Sequence, residues 1–125
     1  VVSRAMEQQL LAIGAPRAKV IYNCYGIDVE HFVPGDPSTA PPHFLAVGRF
    51  AEKKAPHLTI QAFNIALRQR PEAKITLVGQ GKLWDRCQQL VQELGIGHAV
   101  DLCGVRTPDQ IVELMHRSRA FVQQA

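Results

Sequence analysis

Arg49 and Lys54 are the side chains best placed to do chemistry. They lie in His43-Phe-Leu-Ala-Val-Gly-Arg-Phe-Ala-Glu-Lys-Lys54, where a short apolar run passes through one glycine into two cations and a helical pattern follows directly. An apolar run ended by Gly48 reads as a buried strand releasing the chain at its C-terminal end. Ligands of open α/β sheets bind at that edge. The N–H groups and positive dipole end of the next helix attract an anion there, and Arg49 and Lys54 add two full charges. Each would contribute about 4 kcal/mol of attraction to a negative charge ~4 Å away at an effective dielectric near 20. The simplest guest is a phosphate or diphosphate. The bland alternative makes both residues solvated loop cations, as most Lys and Arg are; the position between strand and helix favours the anion site. Lys53 reads as the solvated neighbour.

Two further strand ends carry candidates. Val78-Gly79-Gln80-Gly81 resembles a dinucleotide fingerprint, but Trp84 stands in place of the third glycine and Asp101 falls inside the next strand rather than after it. Gly79 therefore has two open readings, close backbone approach at a cleft or an ordinary strand-to-helix turn. Gly104-Val105-Arg106 would offer backbone contacts to a ligand base, or leave Arg106 simply exposed. His31, His43, His57, His98 and His116 are scattered without metal-ligand spacing and read as surface or turn residues. His57 keeps some interest because it sits just past Lys54. Trp84 and Phe63 read as core fillers.

The elements that must position these residues follow from periodicity. A helix is expected over about 3–13, a strand at Lys19–Asn23, and a long linker rich in Gly and Pro down to Pro42. Strands near 43–48 and 73–78 bracket a helix near 56–69 that would bury Leu58, Ala62, Phe63, Ala66 and Leu67. A helix near 82–94 carries the stripe Leu83, Cys87, Leu90, Val91 and Leu94. A strand spans Ala99–Cys103. Thr107-Pro108-Asp109-Gln110 supplies a cap, a first-turn proline and a capping-box glutamine for a helix to about Arg117. Arg119–Val122 forms the last strand, with Gln123–Ala125 emerging into its loop. Strands alternating with helices imply right-handed βαβ units around a parallel sheet, an α/β Rossmann-like fold, so the loops leaving the strands share one edge.

At 125 residues the chain can bury one core and is small for a complete enzyme, which reads as a fragment. Lys and Arg outnumber Asp and Glu by 14 to 11, but they are dispersed without an aromatic platform, which argues against a nucleic-acid partner. Cys24, Cys87 and Cys103 lack metal spacing and read as reduced, core-packed thiols of a cytosolic protein. No signal or transmembrane pattern is visible.

The order and spacing of several motifs resemble the retaining, nucleotide-sugar-dependent glycosyltransferases of the GT-B fold, the large group typified by bacterial α-mannosyl and α-glucosyl transferases (group 1). The motifs are Gly26-Ile27-Asp28 with Phe32, Val47-Gly48-Arg49 followed by Glu52-Lys53-Lys54, Phe63, Pro71-Glu72-Ala73, Val78-Gly79-Gln80-Gly81, Leu94-Gly95, Gly104-Val105 and Phe121-Val122. The resemblance covers almost the whole chain and implies the incomplete C-terminal, donor-binding half of a two-domain enzyme. Residues 1–16 would close the N-terminal acceptor domain, 17–42 would form an interdomain strand and linker, and 43–125 a partial nucleotide-sugar-binding domain.

What the resemblance implies is a hexosyltransferase-type enzyme that is metal-independent and needs no cofactor beyond its nucleotide-sugar donor. Arg49 and Lys54 match the cations that hold the donor diphosphate as a leaving group, Gly48 and Gly79 belong to the donor site, and Val105 and Arg106 fall where the family contacts the nucleobase. The acceptor, a sugar, lipid or other glycosyl acceptor, would sit on the N-terminal domain absent from these residues. The fragment alone would be inactive. A cytoplasmic location, with peripheral contact at the inner face of the membrane, fits the same resemblance. The family's pair of glutamates seven residues apart does not occur in these residues, and Lys82 stands where the family often has proline. Two other readings remain: a noncatalytic nucleotide- or phosphosugar-binding module of the same fold, and a dehydrogenase-like protein resting on Gly79 and Gly81 alone.

Overall fold

A computed structural model describes residues 1–123; Gln124 and Ala125, the end of the expected closing segment, lie outside the described residues. The chain divides into two compact units, Val1–Val33 and Pro34–Ala125.

The first unit is built on α1 (Arg4–Ala12), which starts where the Ser3 hydroxyl accepts the Met6 N–H. A side-chain acceptor at that position satisfies one of the amides a helix start leaves open. Glu7 is buried on α1 and is held by Arg4 at 2.8 Å and Arg17 at 3.6 Å. The Arg4 guanidinium also lies 4.0 Å over the Tyr22 ring. The strand expected at Lys19–Asn23 is absent. Arg17–Lys19 forms one 3₁₀ turn, and beyond it the segment bonds to Val1, through the Asn23 N–H and the Ile21 carbonyl. A β-branched, aromatic composition makes a strand only where a partner strand offers its own backbone, and one terminal residue is no ladder.

The second unit is a four-stranded parallel sheet in the order β3-β2-β1-β4, made of β1 (His43–Val47), β2 (Lys74–Val78), β3 (Val100–Gly104) and β4 (Ala120–Phe121). Helix α2 (Pro56–Gln69) joins β1 to β2, α3 (Trp84–Glu93) joins β2 to β3, and α4 (Pro108–His116) crosses back to β4. Residues at register partners share a face. Phe44, Ala46, Ile75, Leu77, Val100 and Leu102 form the face covered by α2 and α3, and they make the core with Phe50, Ile60, Phe63, Cys87 and Leu90. Fully burying a side chain such as Ile60 contributes about 1.5–3 kcal/mol.

Helix α2 is rotated from the phase its composition suggests. It buries Thr59, Ile60, Phe63 and Leu67, while Leu58 is 44% exposed and Ala62 and Ala66 are exposed along a hollow they share with Phe44, Phe63 and Ile75. Apolar residues surround more than one face of α2, so the sheet, not the pattern, sets which face points in. Helix α3 buries Cys87, Leu90 and Val91 from the expected stripe, with Leu83 and Leu94 packed at its ends. Helix α4 opens with a capping box in which Thr107 and Gln110 each bond the other's backbone N–H.

The opposite face of the sheet is more polar. His43 on β1 is half-buried, and its Nε2 lies 2.8 Å from the Thr76 hydroxyl on β2, so it is not the surface residue its sequence context suggests. Burial holds its pKa below the usual imidazole value; Arg117 and Lys74 push the same way and Asp101 opposes them. Cys24 departs from expectation too, being exposed while Cys87 is fully buried.

Candidate functional site

The backbone ladder continues past the strand ends. The Gly48 N–H donates to the Val78 carbonyl at 2.9 Å and the Phe50 N–H to the Gln80 carbonyl at 2.9 Å, tying the loop after β1 to the loop after β2. The Leu83 N–H donates back to the Phe50 carbonyl at 3.0 Å, and the Gly79 N–H reaches the Gly104 carbonyl at 2.8 Å. This lacing explains both glycines. Gly79 has φ +138° and Gly81 φ +155°, and a Cβ on either would collide with a carbonyl oxygen, that of Gly48 for the first and of Phe50 for the second. Only glycine adopts such backbone and leaves that space open. The close approach considered for Gly79 thus exists, and the backbone it approaches belongs to the neighbouring loop.

Lys54 ends a 3₁₀ turn, Glu52–Lys54, whose last N–H donates to the Ala51 carbonyl at 2.9 Å. Its stem crosses Gly48, with Cγ 3.7 Å from where a Gly48 Cβ would stand. Arg49 is exposed and Lys54 half-buried. Among the described residues neither Arg49 nor Lys54 has a carboxylate partner, a lack they share with Lys53, Arg68 and Arg106, so their place in the cleft is what sets them apart. The two cations line a shallow cleft with Gly48, Pro56, Thr59 and Val122, whose cavity volume is about 30 Å³. The start of α2 borders it. Ala55 occupies the N-cap without a side-chain hydrogen bond, and Pro56 is the first helical residue. Pro56 and Thr59 of the first turn of α2 line the cleft, at the positive end of the helix dipole. His57, at the second helical position, has a buried Nδ1 with no hydrogen-bond partner among the described residues.

The cleft sits between the ends of β1 and β4. Successive strands run from β1 to β2 to β3 in one direction, and β4 lies on the other side of β1, so this is the topological switch point where such sheets bind ligands. Strand order is invisible in the sequence, which is why Val122 and Gln123 as lining residues escaped the sequence reading. The structure therefore brings Gly48, Arg49 and Lys54 together, with Gly79 against Gly48. Val105 and Arg106 lie apart, on the same edge but two strands away, about 10 Å at sheet spacing. Val105 is 67% exposed, and the Arg106 guanidinium donates to the Val105 carbonyl at 3.3 Å. Arg106 faces a separate hollow with Asp101, Cys103, Gln110 and Glu113. Burial raises the pKa of the half-buried Cys103 thiol, and its Sγ reaches the Leu77 carbonyl at 3.6 Å.

A four-stranded parallel sheet with helices joining its strands and a cleft at its switch point is a Rossmann-type half-domain. The chain belongs to the group 1 glycosyl transferases, whose sequence profile matches residues 30–125. Among curated relatives, the amylovoran biosynthesis glycosyltransferase AmsK of Erwinia amylovora is 26% identical over 123 residues, 97% of this chain and 30% of the relative. The chain thus spans about 30% of the length of the curated relatives it matches. Staphylococcus aureus TarM, solved as a mutant with fondaparinux, α-GlcNAc-glycerol and UDP, superposes with a TM-score of 0.78 at 14% identity, over 98% of this chain and 24% of TarM. Anabaena HepE, solved with UDP and glucose, superposes with a TM-score of 0.70 at 22% identity, over 98% of this chain and 36% of HepE. These likenesses establish the fold as a portion of a GT-B C-terminal domain.

Proposed function

We propose that the intact protein moves a hexosyl group from a nucleotide-sugar donor to an acceptor with retention and without a metal ion, and that this chain supplies the donor-diphosphate site. The observation that carries the proposal is the meeting of Arg49 and Lys54, both without acidic partners, at the switch-point cleft beside the start of α2. When the glycosyl–phosphate bond breaks, its electron pair stays on the departing diphosphate oxygen while positive charge grows at the anomeric carbon. Fixed cations at the cleft stabilise that departing charge more than the ground state, which is where a preorganised donor accelerates reaction. Gly48, with no side chain, lets the Lys54 stem lie across its backbone at the edge of the cleft. The donor would extend along the laced edge past Gly79, its base toward Val105 and Arg106 two strands away. UDP in the HepE and TarM structures makes a uridine diphosphate sugar the first donor to try. Residues 1–16 and 17–42 would then close the acceptor domain and link it to the donor domain, which begins at residue 43. No helix among the described residues is long and apolar enough to cross a membrane.

Lys54→Ala in the intact protein tests the assignment. Removing one charged hydrogen-bond donor raises the Kd for UDP and inorganic pyrophosphate by roughly 10- to 100-fold and removes most transfer, with the fold intact by circular dichroism. Undiminished transfer and unchanged diphosphate affinity in that variant refute the proposal. Weakened binding in a protein that transfers no sugar from any nucleotide donor would leave a binding module of the same fold.

A further inference from the structure

Ala55 is the one non-glycine residue among those described with a positive φ, at φ 41° and ψ 52°. It is also the single joint between two helical pieces, closing the Glu52–Lys54 turn and capping α2. Both of its backbone groups are committed. Its N–H donates to the carbonyls of Ala51 at 2.9 Å and Glu52 at 3.1 Å, and its carbonyl accepts from Leu58 at 3.0 Å and Thr59 at 3.3 Å. Pro56 disfavours a right-handed conformation at the residue before it, so the turn cannot run on into α2 as one helix. An extended residue 55 would swing the turn away from α2 and lift the Lys54 stem off Gly48. The left-handed conformation is the remaining basin, and it is the one that folds Lys54 back across Gly48 into the cleft.

We infer that Ala55 is a positioning residue: its left-handed backbone, held by its four hydrogen bonds while Pro56 bars the right-handed alternative, aims Lys54 at the donor diphosphate. The inference rests on the proposed function above and adds to it the device that fixes the cation. It predicts that the residue type at 55 matters only through its tolerance of left-handed backbone. Glycine adopts that basin freely, whereas a β-branched residue rejects it.

The test is a double-mutant cycle in the intact protein, read as Kd for inorganic pyrophosphate and UDP by calorimetry. Ala55→Gly retains affinity within about twofold, while Ala55→Val loses about tenfold by displacing one charged contact. In the Lys54→Ala background Ala55→Val costs nothing further, because residues acting through one contact are non-additive. A general structural role would weaken binding equally in both backgrounds, and that result, or full affinity in Ala55→Val, overturns the inference while leaving the Lys54 assignment standing. Should Lys54→Ala itself bind normally, the assignment fails and this inference with it. If Ala55→Val does not fold, Pro56→Ala, which lifts the bar against a right-handed residue 55, goes through the same cycle and must show the same non-additivity.

Discussion

Gly79→Ala tests whether the strand-end loops are held by their mutual backbone contact. At φ +138° an alanine adopts a conformation reserved in practice for glycine, at a cost of about 1–3 kcal/mol. Its Cβ would also land on the Gly48 carbonyl oxygen, which is backbone and cannot rotate aside, and overpacking of this kind costs about 1–3 kcal/mol. Moving the loop to relieve the clash endangers the Gly48-to-Val78 and Gly79-to-Gly104 hydrogen bonds, each worth about 0.5–1.5 kcal/mol. These costs overlap, since relief of one incurs another, and the expected loss is about 3–5 kcal/mol, a large share of a domain's typical stability. Urea unfolding of this chain measures it, followed by the fluorescence of its single tryptophan. Trp84 packs on Phe50 with ring centroids 5.2 Å apart and so reports on the loop itself. Gly97→Ala is the control: a Cβ there meets Val91 Cγ1 at 3.9 Å, an ordinary contact, and the change should stay within about 0.5 kcal/mol. If Gly79→Ala costs less than about 1 kcal/mol, comparable to the control, the account of the laced loops is wrong.

Two further predictions concern titration and reactivity. The His43 pKa is lowered in the fold, so between the folded and unfolded values the unfolded chain binds more protons; its stabilising share is fully present above the ordinary imidazole pKa and is lost as pH falls through the folded value. Unfolding free energy measured across that range should rise with pH, and His43→Gln should flatten the rise; an unchanged slope in the variant removes His43 as the cause. Cys24 is exposed, whereas burial lifts the Cys87 thiol to about 11 and hides it, so a thiol reagent at neutral pH should label Cys24 rapidly and Cys87 only after denaturant is added. Equal labelling rates in the native protein would contradict the packing of α3.

The sequence was most informative where local chemistry is self-sufficient. Helix α2 begins and ends where Pro56 and the periodic pattern put it, and α4 is announced by Thr107 and Gln110, whose reciprocal bonds require no other element. The strands β1, β2 and β3 were legible as apolar runs ended by glycine or by a turn. Non-local facts were not. Whether Leu58 or Ile60 faces the core depends on the sheet beneath α2, and whether Lys19–Asn23 forms a strand depends on a neighbour it lacks. The same holds at the site. Arg49 and Lys54 could be picked out by their place between a strand and a helix, but their convergence with Val122 follows from β4 lying beside β1, a choice of strand order that leaves no mark in the residues. The left-handed Ala55 carries no composition signal either, since alanine is a helix former and its conformation is dictated by the proline after it and by its four hydrogen bonds.

The backbone lacing between the β1 and β2 loops divides this edge of the sheet by how it tolerates changes in length. One residue inserted within 48–50 or 79–81 would shift the register of the bonds joining Gly48 to Val78 and Phe50 to Gln80, and would displace Leu83 at the start of α3. Past Gly104 the chain makes no such cross-loop bond among the described residues before Thr107 begins its own cap, so 105 and 106 can lengthen or shorten without unthreading the sheet. The end of the edge near Arg49 and Lys54 is therefore fixed in length by the fold, and the end near Arg106 is where insertions and deletions can reshape the surface at little structural cost.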